Sequence, residues 1–311
     1  MTLLSLFARA AAPLALLVGT PAIAETQTAP AAEAAAATKP APKPIKAKPA
    51  LWKVSDRDTT IYLFGTVHVL PEGIEWFDKR IAKAFDASDL LVTEIRMDKA
   101  GEAELVKLTQ SKGLLPPGTT LRSLLTPDQV ATYSAAMAKI GFPPEAFDPL
   151  KPWLAGLTLG LLPLTQQGYS PESGVEKVLL ARAPQKQTGA LETAEFQLGI
   201  FDGMTREAQI AFLIEAADGV DEVKPTLDRM VAEWAKGDAE ALAAVMNEGM
   251  SDPAVAEALL YSRNANWAEW IDTRLDTPGT VFIAVGAGHL AGDKSVQVFL
   301  RERGIKTKRV K

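Results

Sequence analysis

The chain has 311 residues, with 33 Lys and Arg against 38 Asp and Glu, and it contains no cysteine. A net charge of −5 offers nucleic acid no basic face. The missing thiols exclude disulfides, thiolate ligands and a cysteine nucleophile.

In chain order, residues 1–24 read as a secretory signal peptide. Arg9 supplies the positive region, Ala10–Val18 the apolar stretch, and Ala22-Ile23-Ala24 a small-residue cleavage site before Glu25. That stretch is too short for a membrane span, and no later one reaches the ~18 unbroken apolar residues a span needs. Cleavage removes only Arg9 from the charged set, leaving 32 basic against 38 acidic side chains, net −6. The expected location is periplasmic or secreted, with no stable membrane span after cleavage. Residues 25–50 alternate Ala, Pro and Lys and contain almost no large apolar side chain, so they read as a disordered, extended linker.

The folded domain is expected over residues 51–311. Leu51–Val54 and Thr59–Phe64 alternate around Ser55-Asp56-Arg57-Asp58 as a hairpin. The second strand runs into Gly65-Thr66-Val67-His68. Residues 78–87 have helical spacing, with Ile81, Ala84 and Phe85 on one face, and Leu90–Ile95 is a short strand carrying Glu94. Residues 99–167 read as a large helical insertion. Within it, Thr126 caps a helix that starts at Pro127 and ends near Lys139, and another helix follows Pro152. Gly174-Val175-Glu176 opens a further helix, and Thr188–Leu191 is a weak strand before Glu192. Helical pattern returns over 194–276, with breaks near Gly203, Gly219, Gly237 and Gly249, and the last helix begins near Arg263-Asn264. Thr280–Val285 is a strand entering Gly286-Ala287-Gly288-His289. A helix at 295–303 and a strand at 305–310 close the chain. The fold class is α/β, a mixed central sheet with flanking helices and the helical insertion.

His68 and His289 are the only histidines, and both follow an apolar run and Gly-x-x-His. Glycine is expected to let the chain turn sharply at each strand exit. In open α/β sheets ligands bind beyond the carboxyl ends of strands. Were the strands parallel, His68, His289, Glu94 and Glu192 would share one rim. Two imidazoles with carboxylates make a ligand set for Zn, Mn, Co or Fe(II), and a metal-bound water becomes a nucleophile near neutral pH. No His-Glu-x-x-His helix and no Gly-x-Ser-x-Gly turn is present. The glycines after Val285 neither make a dinucleotide fingerprint nor, with Lys294, a phosphate loop. Trp267 and Trp270 read as packing residues.

Taken together, Leu63–His68 with Glu94, Gly174-Val175-Glu176-Lys177, Leu191-Glu192-Thr193-Ala194-Glu195-Phe196-Gln197-Leu198, Arg263-Asn264-x-x-Trp267 and Val285–Gly292 resemble the TraB/GumN family. That family includes pheromone-shutdown proteins and is similar to the Tiki metalloproteases. Phe196 stands where the family often has a second acidic residue. The resemblance implies an EreA/ChaN-like α/β fold, two Gly-x-x-His motifs needed for activity, and metal-dependent peptide hydrolysis in the Tiki branch. Carried over by position, it points to His68 and His289, then Glu94, Glu192 and Glu176, with Arg263 and Asn264 matching a family motif. The expectation is an exported metal-dependent hydrolase of peptides or small molecules. His68, His289 and Glu94 hold the metal, Glu192 or Glu176 activates water, and Arg263 stabilises the oxyanion. The alternative is a non-catalytic binder of a peptide or of haem or iron.

Overall fold

The computed structural model describes residues 44–182, 184–248 and 256–311. The expected signal peptide, most of the linker, and the break at Gly249 lie outside them. The strands are β1 (Ile45–Lys46), β2 (Leu51–Ser55), β3 (Thr59–Thr66), β4 (Leu70–Pro71), β5 (Ile74–Glu75), β6 (Leu90–Thr93), β7 (Tyr169–Ser170), β8 (Gln187–Ala190), β9 (Gly279–Gly286) and β10 (Lys308–Arg309). The main sheet has the order β10-β2-β3-β9-β6-β8. Strands β10, β2 and β3 pair antiparallel, whereas β3, β9, β6 and β8 are parallel. The sheet is therefore mixed, and its four parallel strands end on one edge.

The helices are α1 (Lys79–Asp86), α2 (Lys99–Lys112), α3 (Pro127–Lys139), α4 (Pro152–Gln166), α5 (Val175–Arg182), α6 (Ala194–Asp202), α7 (Arg206–Asp218), α8 (Val223–Lys236), α9 (Ala239–Asn247), α10 (Ser262–Leu275) and α11 (Val296–Glu302). Local chemistry explains their ends. Thr126 accepts from the Gln129 N–H while Gln129 reaches back to the Thr126 N–H, a capping box in front of Pro127. Asp78 caps α1, which buries Ile81, Ala84 and Phe85, the face its spacing predicts.

The sheet separates two cores. On one face Phe64, Phe282 and Ala284 pack beneath the many helices between β6 and β9. On the other, Ile61, Leu63, Val281, Ile283 and Val285 meet Trp267, Ala268 and Ile271 of α10 and Val296 and Leu300 of α11. Alternating side chains thus serve both faces, as a central strand requires. The helices of 99–167 do not stand alone, because α3 and α4 pack against α7 from the later helical stretch.

Some features differ from the sequence pattern. Ile45–Lys46 forms β1 alongside β5, and Ala47 is buried in the first core, so the last part of the expected linker is packed. The closing strand shortens to Lys308–Arg309. Among the described residues no helix is long and apolar enough to cross a membrane.

Candidate active site

The carboxyl ends of β3, β6, β8 and β9 deliver His68, Glu94, Glu192 and His289 to one edge. One residue separates the end of β3 from His68, and two separate the end of β9 from His289. Both imidazoles are buried, His68 at 6% exposure and His289 at 0%.

The glycines of the two motifs act by allowing close approach. Neither Gly65 nor Gly286 has a positive φ, so the expected sharp turn is not what they supply. A Cβ on Gly65 would stand 3.0 Å from the Ala287 Cα, where the two Gly-x-x-His segments touch. A Cβ on Gly286 would stand 3.1 Å from Glu94 Oε1, 3.5 Å from His68 Nε2 and 3.6 Å from His289 Cδ2. Gly286 therefore marks the point where the three side chains converge, and its own N–H donates to Glu94 Oε1 at 2.7 Å.

His68 is held from its far side. Its Nδ1 lies 2.6 Å from Glu176 Oε1, an ion-pair contact whose angle falls short of a hydrogen bond. The same oxygen accepts from the Thr66 hydroxyl. His68 Nε2 is buried and has no hydrogen-bond partner among the described residues. Burial pushes this imidazole down, but the Glu176 and Glu94 charges outweigh burial and its pKa stands above the ordinary value.

His289 is fixed differently. Asn264 Nδ2 donates to the Lys294 carbonyl at 2.7 Å, which leaves Asn264 Oδ1 as the acceptor facing His289 Nδ1 at 2.6 Å. That arrangement puts the proton of a neutral His289 on Nδ1 and the lone pair on Nε2. The ring packs on Trp267, with centroids 4.3 Å apart.

Arg263 occupies the middle. Its Nε donates to Glu192, and Nη2 donates to Glu192 Oε2 at 2.8 Å and to Glu94 Oε2 at 2.7 Å. Its Nη1 donates to the Leu259 carbonyl at 2.9 Å and stands 3.3 Å from His289 Nε2. An arginine has five N–H groups, and these contacts use them all. Burial lowers the guanidinium pKa, but Glu94 and Glu192 more than reverse this, so it remains a fixed cation. Burial alone would also raise the Glu94 carboxyl. Arg263 outweighs that, with His289, His68 and the Gly286 N–H, and holds it down at about 2.

The expected residues are thus brought together, though their contacts assign them different tasks. Glu192 accepts from Arg263, from Trp267 Nε1 at 2.9 Å and from Gln197 Nε2 at 2.9 Å, and so anchors the arginine. Glu176 backs His68, and Asn264 sets the His289 tautomer. Trp267, read from sequence as packing alone, also donates a hydrogen bond into the site. Gln197 was not singled out by sequence. Its amide bridges Glu192 and Glu94, the latter at 3.0 Å. Its place in the Glu192–Leu198 motif was the available signal.

The five residues Glu257–Tyr261 form a π-helical turn directly before α10. Such turns leave carbonyls out of the regular ladder and gather at functional sites. Here the Leu259 carbonyl accepts from Arg263.

A parallel strand edge carrying two oriented imidazoles and two carboxylates, joined by Glu176 and one saturated arginine from flanking helices, defines a mixed α/β domain with a buried polar centre. The chain belongs to the TraB/PrgY/gumN family, whose model matches residues 50–309. An uncharacterized protein of Treponema pallidum is 24% identical over 270 residues, covering 81% of this chain and 80% of its own. The uncharacterized protein YbaP of Escherichia coli is 22% identical over 254 residues, covering 77% of this chain and 87% of its own. No solved structure matches the chain.

Proposed function

We propose that the chain is an exported hydrolase of peptide bonds that works with a divalent transition ion, Zn, Mn, Co or Fe(II), held by His68, His289 and Glu94. The observation that supports this most is His68 Nε2, a buried imidazole nitrogen with no hydrogen-bond partner among the described residues, close to Glu94 and His289 around Gly286. The chemistry of the donor set fits such an ion. Each imidazole has its Nδ1 occupied, by Glu176 or Asn264, which is how histidine ligands are usually oriented from behind. Glu94 and Glu192 share one guanidinium and Glu176 lies against His68, so with both imidazoles neutral the buried centre carries two formal negative charges in excess. A cation relieves that excess, and buried charge without a counterpart is costly.

Among the described residues no three His, Asp or Glu side chains present their ligating atoms together as a metal ion would require, and at Gly286 His289 offers Cδ2 rather than a nitrogen. Arg263 Nη1, 3.3 Å from His289 Nε2, holds that nitrogen instead. A bound ion of this class supplies Lewis acidity and a water of lowered pKa. The protein's own residues set the rest. Glu94, kept ionised, is the carboxylate nearest His289, with Oε1 3.8 Å from Nε2. Glu176 fixes His68 and steadies any proton it carries. Glu192, Gln197 and Trp267 hold Arg263 so that its charge stays beside Glu94.

The Arg263–His289 contact favours a second reading without metal. There His68 Nε2 takes the proton from water, and Glu176 stabilises the imidazolium, as a carboxylate does behind a general base. Metal analysis by mass spectrometry with and without chelator, alongside cleavage of fluorescein-labelled casein, separates them. The metal reading expects about one ion per chain, lost in His68→Ala, with cleavage stopped by chelator. Cleavage by fully metal-free protein supports the second reading. No cleavage of casein under any metal loading overturns peptide hydrolysis.

A further inference from the structure

Among the described residues, strand β8 is the last strand of the main sheet and pairs only with β6. The Leu191 N–H bonds the Thr93 carbonyl, which sets the phase of this parallel ladder. Gly189 shares that phase, so the N–H and C=O of Thr188 and Ala190 point to the open side. Exposed sheet edges in native proteins are normally guarded by charge, proline or a bulge. Gln187-Thr188-Gly189-Ala190 carries none of these. The nearest charge, Lys186, is folded back, donating to the Ser88 carbonyl with its ammonium 5.0 Å from the Phe85 ring. Two residues past the strand the chain reaches Glu192 in the active centre, and one turn further Phe196 is 47% exposed.

We infer that the open edge of β8 is the substrate-binding strand, where an extended polypeptide adds its main chain as a seventh strand and is led to the site at Glu192. The inference rests on the peptide-hydrolase reading and names its substrate class, an unfolded or extended peptide rather than a folded surface. Two features select this occupant. The edge is only four residues long, far short of the ~1,000 Å² a stable protein interface requires. Its direction is continuous with the catalytic edge, because β8 and β6 run parallel into it. Small side chains at Gly189 and Ala190 leave room for a neighbouring backbone, and main-chain pairing gives affinity with little demand on sequence.

The test uses Ala190→Pro. Proline removes the outward N–H of residue 190 and leaves the bonds to β6 intact, and Gly189 before it tolerates the ring. Ala190→Thr keeps the N–H and controls for the side chain. The probe is fluorescein-labelled β-casein, an unfolded polypeptide, followed by anisotropy on the full chain. Ala190→Pro is expected to bind roughly 3- to 10-fold more weakly than the parent, the worth of one lost hydrogen bond. Ala190→Thr is expected to bind as the parent does, with both melting temperatures unchanged. If Ala190→Pro melts early, Thr188→Pro, which removes the other outward N–H, replaces it. Equal binding by the parent and the proline variant overturns the inference, as does absence of casein binding by the parent. Cleavage of the same probe is read in parallel. Binding without cleavage, still weakened by proline, keeps the edge and discards the hydrolase. Cleavage indifferent to proline keeps the hydrolase and discards the edge.

Discussion

Glu94 is an acid kept ionised inside the protein, and that has a consequence for stability. Its folded pKa of about 2 lies below its ordinary value of 4.5. A depressed carboxyl contributes stability that is fully present above the unfolded value and is lost as pH falls through the folded one. Urea unfolding at pH 7, 4.5 and 3 is therefore expected to show a loss of stability that begins below about 4.5. In Glu94→Gln this part of the acid limb should be absent. A parent and a variant with the same acid limb would contradict the charge assignment. Gly286 gives a second test at this scale. In Gly286→Ala the new methyl stands 3.1 Å from Glu94 Oε1 and 3.5 Å from His68 Nε2. The carboxylate must shift, so casein cleavage is expected to fall at least tenfold. Stability should fall by about 1–3 kcal/mol, the range for overpacking, as read by urea unfolding. Full activity would mean that the convergence at Gly286 is not the reacting centre.

The π turn Glu257–Tyr261 sets the start of α10. Deleting one residue, Ala258, is expected to restore the regular ladder and to give the Leu259 carbonyl to the backbone rather than to Arg263. The expected outcome is a helical circular-dichroism spectrum like the parent's with strongly reduced casein cleavage. An unaltered rate would show that the turn plays no part in placing Arg263. This turn is also where sequence reading stops, since one extra residue in a helix leaves no mark on an apolar pattern. Other elements were plain to see. The apolar runs before both Gly-x-x-His motifs are central strands because they are buried on both faces. The Thr126-Pro127 helix begins and ends where its cap and Gly141 place it. His289, Glu94 and Glu192 converge with His68 because strand ends can be inferred from local pattern, whereas Glu176, Arg263 and Asn264, to which the family resemblance pointed, join them from helices α5 and α10. What each one touches could not be read. Arg263 meets Glu192 across 71 residues of chain, and Gln197 meets Glu94 across 103. No periodicity encodes such pairings, so Arg263 looked like an oxyanion donor and Trp267 like simple packing.

At the scale of the whole molecule, the domain begins earlier than its first strong strand. Ile45 bonds the Gly73 carbonyl, Lys48 bonds that of Ala235, and Ala47 is buried. Alanine and proline in low-complexity sequence hid this, since β1 gains its order from β5 and α8 rather than from its own side chains. A chain of residues 51–311 is expected to melt several degrees below one of residues 44–311, as differential scanning calorimetry would record. Equal melting temperatures would mean that β1 adds nothing. The same view of the molecule places two distant histidines in one centre, with their Nε2 atoms turned inward and their Nδ1 atoms tied outward. The most direct test is bound metal in the parent and in His289→Gln, each measured by mass spectrometry after loading with Mn, Co, Zn or Fe(II) and washing, with thermal unfolding in parallel. About one ion per parent chain is expected, and almost none in a variant that remains folded. A folded His289→Gln that retains the parent's metal would contradict it.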